Sequence, residues 1–228
     1  MLQRKVGDLH LDIDGCTITP SPEVRNLGVI LDSSLSLHSH IKKVTKSAFY
    51  HLRNISRHRP SLSKTVTETL THSFISSRLD YCNAILLGLP NKALDRLQYV
   101  QNSAARIITG TRPWQHITPI LKQLHWLPIK SRITYKVLLL TFKSLHGLAP
   151  HYLTDLLHPY DPSRSLRSSS KGQLIVPRAR LKATSDRAFH VAAPILWNNL
   201  PDHIQNAPSL AMFKQHLKTH LFLEAYGC

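Results

Sequence analysis

From Ile41 to Leu221 the chain repeats one pattern: apolar residues three or four positions apart, cut at intervals by proline or glycine. Ile41, Val44, Ala48, Leu52 and Ile55 form the first such stripe. An α-helix turns once in about 3.6 residues, so this spacing gathers the apolar side chains on one face, whereas a strand would scatter them. After Pro60 comes a second stripe, Leu62, Val66, Leu70 and Phe74, with Ser61 or Ser63 available as N-cap. A third runs through Leu94, Leu97, Val100, Ala104 and Ile107 and is stopped by Gly110 and Pro113. A fourth uses Ile133, Val137, Leu140 and Leu145, stopped by Gly147 and Pro150, and the last uses Leu210, Phe213, Leu217 and Leu221. Helices joined by short connections bury such stripes against one another, so the expected body is a helical bundle.

The first residues follow another period. Leu9, Leu11 and Ile13 alternate with polar residues, Asp14-Gly15 follows, and Cys16-Thr17-Ile18-Thr19 resumes the alternation. Asp and Gly both accept the positive φ of a type I′ turn, so this reads as a β-hairpin closed by Pro20-Ser21-Pro22. Val24 to Leu31 is expected as a third short strand, which would leave an unpaired sheet edge. Asp161 to Thr184 differs from both: serines alternate with Arg164, Arg167, Lys171, Arg178, Arg180 and Lys182, and only Leu174-Ile175-Val176 has strand character. That composition predicts a basic linker or arm, the least ordered interior stretch. The expected class is therefore mainly α. It comprises a β segment over 1–34, a helical bundle over 35–158, the basic arm over 159–185 and a looser helical C-terminal segment over 186–228.

Of the 228 residues 42% are hydrophobic, enough for a core, so wholesale disorder is excluded. Charge is lopsided: 29 Lys and Arg against 13 Asp and Glu give a formal +16. Such a balance points to a polyanionic partner, with nucleic acid first. The longest apolar runs, such as Val137-Leu138-Leu139-Leu140, fall well short of the roughly 18–20 residues that span a bilayer. Met1-Leu2-Gln3-Arg4-Lys5 lacks the apolar core of a signal peptide. Cys16, Cys82 and Cys228 form no CxxC pair, which fits a reducing setting. The expected location is intracellular, nuclear or cytoplasmic, and no membrane partner is expected.

Few patterns offer catalysis. Phosphoryl transfer by a polymerase needs paired carboxylates holding two metal ions. The nearest imitation, Asp12-Ile13-Asp14, belongs to a hairpin strand and its turn, where these residue types serve the backbone. His216 and His220 have a helical ligand spacing, and His38/His40 and His51/His58 are close in sequence, yet no cysteine or second pair accompanies any of them. No catalytic residue, metal site or cofactor is expected.

The basic residues are the functional candidates. Between Asp32 and Glu68 no acidic residue occurs, while Lys42, Lys43, Lys46, Arg53, Arg57, Arg59 and Lys64 all fall inside. Lys42, Lys46, Arg53 and Arg57 lie off the apolar face of the first helix. A merely solvated face mixes both signs, so a wholly basic one suits a phosphate backbone. A second acid-free tract, Arg96 to Thr154, carries Arg106, Arg112, Lys122, Lys130, Arg132, Lys136 and Lys143. Rings beside these charges could stack on bases: Tyr50 adjoins the first helix's basic face, and Trp114 follows Arg112-Pro113. Trp126 and Trp197 sit among leucines and prolines, and the tryptophans as a group are read as packing residues.

A resemblance gathers these pieces. Val24-Arg25-Asn26-Leu27-Gly28-Val29-Ile30-Leu31-Asp32 resembles the segment that follows the catalytic palm in reverse transcriptases of LINE-type (non-LTR) retrotransposons. Ser76 to Asn83 (SSRLDYCN), Leu97 to Arg106 (LQYVQNSAAR), His116 to Pro119 (HITP) and Leu124 to Ile129 (LHWLPI) are similar to later blocks of that family. Leu148-Ala149-Pro150, Tyr152-Leu153, Ser165 to Ser168 and Ala192 to Pro201 continue the match in the same order, so it runs from about Leu9 to Phe222. The resemblance implies the end of a palm, a thumb closing over a primer–template duplex, and a C-terminal region, without the metal-binding carboxylates that lie upstream in the family. It implies RNA or an RNA–DNA hybrid as partner, gripped by the first basic tract, and leaves room for a palm-containing polymerase in trans. The alternatives are a host-adopted protein-interaction module without enzymatic activity, or a retroelement remnant without function.

Overall fold

The computed structural model describes residues 11–160, 172–178 and 186–227, and they are mainly α-helical, with two small antiparallel hairpins at the N-terminal end. The chain divides into two compact units, Met1–Lys43 and Val44–Cys228, so the boundary falls inside the first helix rather than near residue 34. Leu9 and Cys228 lie outside the described residues.

In the first unit β1 (Leu11–Ile13) pairs with β2 (Cys16–Ile18) in the register Leu11↔Ile18 and Ile13↔Cys16. Asp14 and Gly15 carry φ of +50° and +79°, the turn expected from their side chains. The single strand expected over Val24 to Leu31 is instead a second hairpin, β3 (Glu23–Asn26) with β4 (Val29–Asp32). Leu27 and Gly28 form its turn at φ +45° and +86°. A leucine rarely adopts left-handed backbone, which is why the turn was hidden inside an apolar run. The two hairpins form separate sheets rather than one three-stranded edge.

Asp32 then organises the entry into α1 (His38–His58). Its carboxylate accepts from the amides of Ser34, Ser36 and Leu37 at 3.1, 2.9 and 2.7 Å, and from both serine hydroxyls. This holds Leu35 and Leu37 in left-handed backbone at φ +52° and +57°. The Ser34 hydroxyl, then the Ser36 amide, keep the Asp32 carboxyl well below the usual carboxylate range. The group therefore ionises more readily in the folded chain. Its contribution is complete above the ordinary carboxylate value and is lost as pH falls through the lower folded one. Asp32→Ala is expected to lower the protection of the Ser36 and Leu37 amides from hydrogen exchange about fivefold near pH 6, as for a lost cap of about 1 kcal/mol. That gap between wild type and variant should narrow below about pH 4. Equal protection at pH 6 would show that the carboxylate does not hold this loop.

In the second unit the apolar stripe of α1 is inside as read, with Ala48, Leu52 and Ile55 buried. The next helix, α2 (Lys64–Thr71), is capped by Ser63, whose hydroxyl accepts from Val66. It continues through a π-type turn (His72–Ser76) into α3 (Ser77–Asp80). Its buried face is shifted by one residue from the expected stripe: Thr67, Thr71 and Ile75 are inside, while Val66 and Phe74 are exposed. The threonines can be buried because each hydroxyl donates back four residues, to the carbonyls of Ser63 and Thr67. α4 (Asn91–Thr109) buries Leu94, Leu97, Val100 and Ala104 and ends at Gly110 with φ +70°, the left-handed stop expected there.

After α5 (Thr118–Gln123) and α6 (Ile129–Leu145) come α7 (His151–Thr154), α8 (Phe189–Asn198), α9 (Asp202–Gln205) and α10 (Leu210–Tyr226). The C-terminal helices are not loose. Phe142 of α6, Trp197 of α8 and Phe213 of α10 share one core with Val137, Leu138, Leu217 and Leu221. Phe142 and Phe213 stack at 4.2 Å, and Trp197 lies 6.0 Å from Phe213. The described part of the expected arm, residues 172–178, is also tied down. Asn198 exchanges two hydrogen bonds with the backbone of Leu174, and the Trp197 indole donates to the Gly172 carbonyl. Leu174 makes an isolated bridge with Pro159 rather than a strand.

Candidate nucleic-acid interface

The first basic tract lands on α1. Lys42, Lys43, Lys46, Arg53 and Arg57 are all exposed, and Lys46, Arg53 and Arg57 lie opposite the buried Ala48, Leu52 and Ile55. Tyr50, 62% exposed, borders this face. The residues that are four and seven apart stand one above another along the helix, so the charges form a line rather than a scatter.

Arg59 behaves differently from its neighbours. Its Nε and one terminal nitrogen donate to the carbonyls of Ile107 and Ile108 at 3.0 and 3.2 Å, and the other to Leu62 at 2.9 Å. The Ile107 and Ile108 carbonyls are orphans at the end of α4, so Arg59 is first a helix cap supplied from a distant segment. Arg59 also lines an open groove of about 860 Å³ beside α4, together with Ser56, Tyr99, Asn102, Ser103 and Arg106. All lining residues are neutral or basic. Arg106 donates to the Gln115 carbonyl at 3.2 Å, while its Nε is buried without an acceptor.

At the Pro113 rim of this groove, Trp114 is 74% exposed and the Arg112 guanidinium lies 5.4 Å from its ring centre. The reading of all tryptophans as packing residues thus holds for Trp126 and Trp197, both buried, and fails for Trp114. Tyr99, Asn102 and Ser103 line the same groove and are not among the candidates read from the sequence. The sequence carried a signal for them: with Arg106 they fall on the face of α4 opposite its buried stripe.

The remaining candidates separate. Lys130 is exposed and lines an apolar cleft of about 350 Å³ with Leu86, Leu87, Leu94, Ile133 and Ile195. One terminal nitrogen of Arg132 donates to both carboxylate oxygens of Asp80 at 3.0 Å, so this guanidinium has an internal partner. Burial pushes the Asp80 carboxyl up, against the pull of Arg132, Lys136 and His72. Arg178 is exposed in the extended segment, and Arg164, Arg167 and Arg180 lie outside the described residues.

Three of the blocks quoted for the resemblance, Ser76 to Asn83, Leu97 to Arg106 and Leu124 to Ile129, are linked near this ion pair. Gln101 donates to the Leu127 carbonyl, the Ile129 amide donates to Gln98, and the Tyr226 hydroxyl donates to the Trp126 carbonyl at 2.6 Å. Burial pushes Tyr226 up to about 12, so it stays a donor across the ordinary pH range. The first and last of these blocks line a cleft of about 470 Å³, through Asp80, Asn83, His125 and Trp126, together with Arg132 and Lys136. Their visible work is to join α3, α4, α6 and α10.

No family profile, curated protein or solved structure matches the chain.

The Asp12-Ile13-Asp14 pair sits as the hairpin reading requires, with Asp12 accepting from the Thr17 hydroxyl across the ladder and Asp14 in the turn. Among the described residues no three His, Cys, Asp or Glu side chains are grouped to hold a metal ion. Among them, too, no helix is long and apolar enough to cross a membrane.

Proposed function

We propose that the chain derives from the part of a LINE-type reverse transcriptase that follows the palm, and that it binds RNA or an RNA–DNA hybrid through phosphate contacts. The observation that carries this is α1, buried on one side and lined with exposed cations on the other, with no acidic residue among its positions. A groove bearing Arg59 and Arg106 adjoins the C-terminal end of that helix at Ser56. A line of cations along a rigid helix matches the regular charge of a nucleic-acid backbone, and displaced counterions supply the driving force. The reading assigns no bond-breaking step to the chain. A palm-bearing polymerase acting in trans would supply any chemistry.

A second reading, a protein-interaction module without catalysis, is favoured by the apolar cleft around Leu86, Leu87, Leu94 and Ile195. Salt separates the two. Affinity for a hybrid duplex should fall as a power of the salt concentration, with a slope of about −3 for three to four phosphate contacts. A flat response, or no binding at low salt, overturns the phosphate reading. A protein complex that survives high salt would support the second.

A further inference from the structure

We propose that the turn from Arg112 to Gln115, at the rim of the α4 groove, is a stacking platform for an unpaired base, so that the chain prefers a duplex flanked by a single strand. The inference rests on the nucleic-acid reading above and adds a second kind of contact to it. Three observations on different residues support it.

The first is the indole itself. A tryptophan that remains 74% exposed forgoes most of the stabilisation its ring could gain by burial, so its place on the surface calls for an occupant. The Arg112 guanidinium lies over the ring, 5.4 Å from its centre. A ring already stacked on a cation presents its free face to a base. The cation also draws the phosphate that accompanies that base.

The second is that the turn is held in place. The Gln115 amide donates to the Arg112 carbonyl at 3.2 Å, and the Arg112 amide donates to the Gln115 side chain at 3.1 Å. Arg106 fastens the Gln115 carbonyl to α4. A platform fixed before binding loses little entropy when a base lands on it.

The third is an unmet donor. The Arg106 Nε is buried without an acceptor, on a residue lining the groove. A rotation that turns this nitrogen toward the groove would let a phosphate or base oxygen satisfy it. Tyr99, 62% exposed and backed by Phe49 at 5.6 Å, offers another ring on the same groove. Paired bases hide their faces in the stack, so only an unpaired nucleotide can use these rings.

The test uses the full chain and three ligands: a blunt RNA–DNA hybrid, the same hybrid with a short unpaired RNA overhang, and that overhang made abasic. The overhang is expected to raise affinity roughly tenfold, the abasic overhang to remove that gain, and Trp114→Ala to remove it while leaving blunt-duplex affinity and its salt slope unchanged. Because Trp126 and Trp197 are buried, the overhang should also quench the emission that Trp114→Phe lacks. Equal affinity of wild type for blunt and overhanging hybrids overturns the platform. So does a Trp114→Ala loss that is the same for both ligands, or capture of a protein on Trp114 that an unpaired strand does not displace. If the blunt hybrid fails to bind at all while a single strand still quenches Trp114, the duplex-gripping reading falls and the platform stands.

Discussion

Phe213→Ala is expected to cost the chain about 4 kcal/mol of stability, measured as a lowered urea midpoint of the full-length protein. Phe213 is fully buried and is an aromatic link between α10 and the rest of the core. Its ring stacks on Phe142 of α6 at 4.2 Å and approaches Trp197 of α8 at 6.0 Å, while Phe142 also stacks on His146 at 3.9 Å. Alanine removes both the transfer energy of the ring and its packing partners, and three helices meeting at one point cannot all close the gap. Phe213→Leu keeps most of the volume and should cost about 1–1.5 kcal/mol. A Phe213→Ala loss below about 1 kcal/mol would mean that α10 does not share this core, and the sequence-based expectation of a looser C-terminal segment would then be the better one.

That expectation shows where the sequence was legible and where it was not. The stripes of α1, α4 and α10 could be read because their buried residues are almost all aliphatic or aromatic, so periodicity and burial coincide. In α2 they do not coincide. Thr67 and Thr71 are interior residues in polar form, made tolerable by hydroxyl bonds that only the folded helix supplies, and the apolar stripe lies one residue off the buried face. α8 has Pro194 in its midst, which masks a helix from any reading by propensity. Leu27 hid a turn for the opposite reason, being a poor turn former placed where the chain must reverse. For the site, charge along α1 was visible because one helix carries it. The destinations of Arg59 and Arg132 were not, since their partners lie 48–49 and 52 residues away. Contacts across such separations leave no periodic trace, and a basic residue reads the same whether it caps a helix or meets a phosphate.

That ambiguity defines the second large effect. The double variant Arg53→Glu with Arg57→Glu is expected to lose at least about 100-fold in affinity for an RNA–DNA hybrid at low salt and to flatten the salt slope by about 2. Each substitution removes one cation and places an anion against the same phosphate backbone, so the effect exceeds that of alanine. Both residues are exposed, so the cost to stability should be about 1 kcal/mol or less, most of it from placing a negative charge at the C-terminal end of α1. Arg59→Ala supplies the contrast two positions further on. It strips donors from the carbonyls of Ile107, Ile108 and Leu62 and should lower stability by about 2–3 kcal/mol, with a smaller change in salt slope. If the double variant binds as wild type does, the line of charge on α1 is a solvated face and the phosphate reading loses its principal support. If instead Arg59→Ala leaves stability untouched but weakens binding as strongly as the double reversal, the caps at the end of α4 are incidental and Arg59 belongs with the contacts along α1.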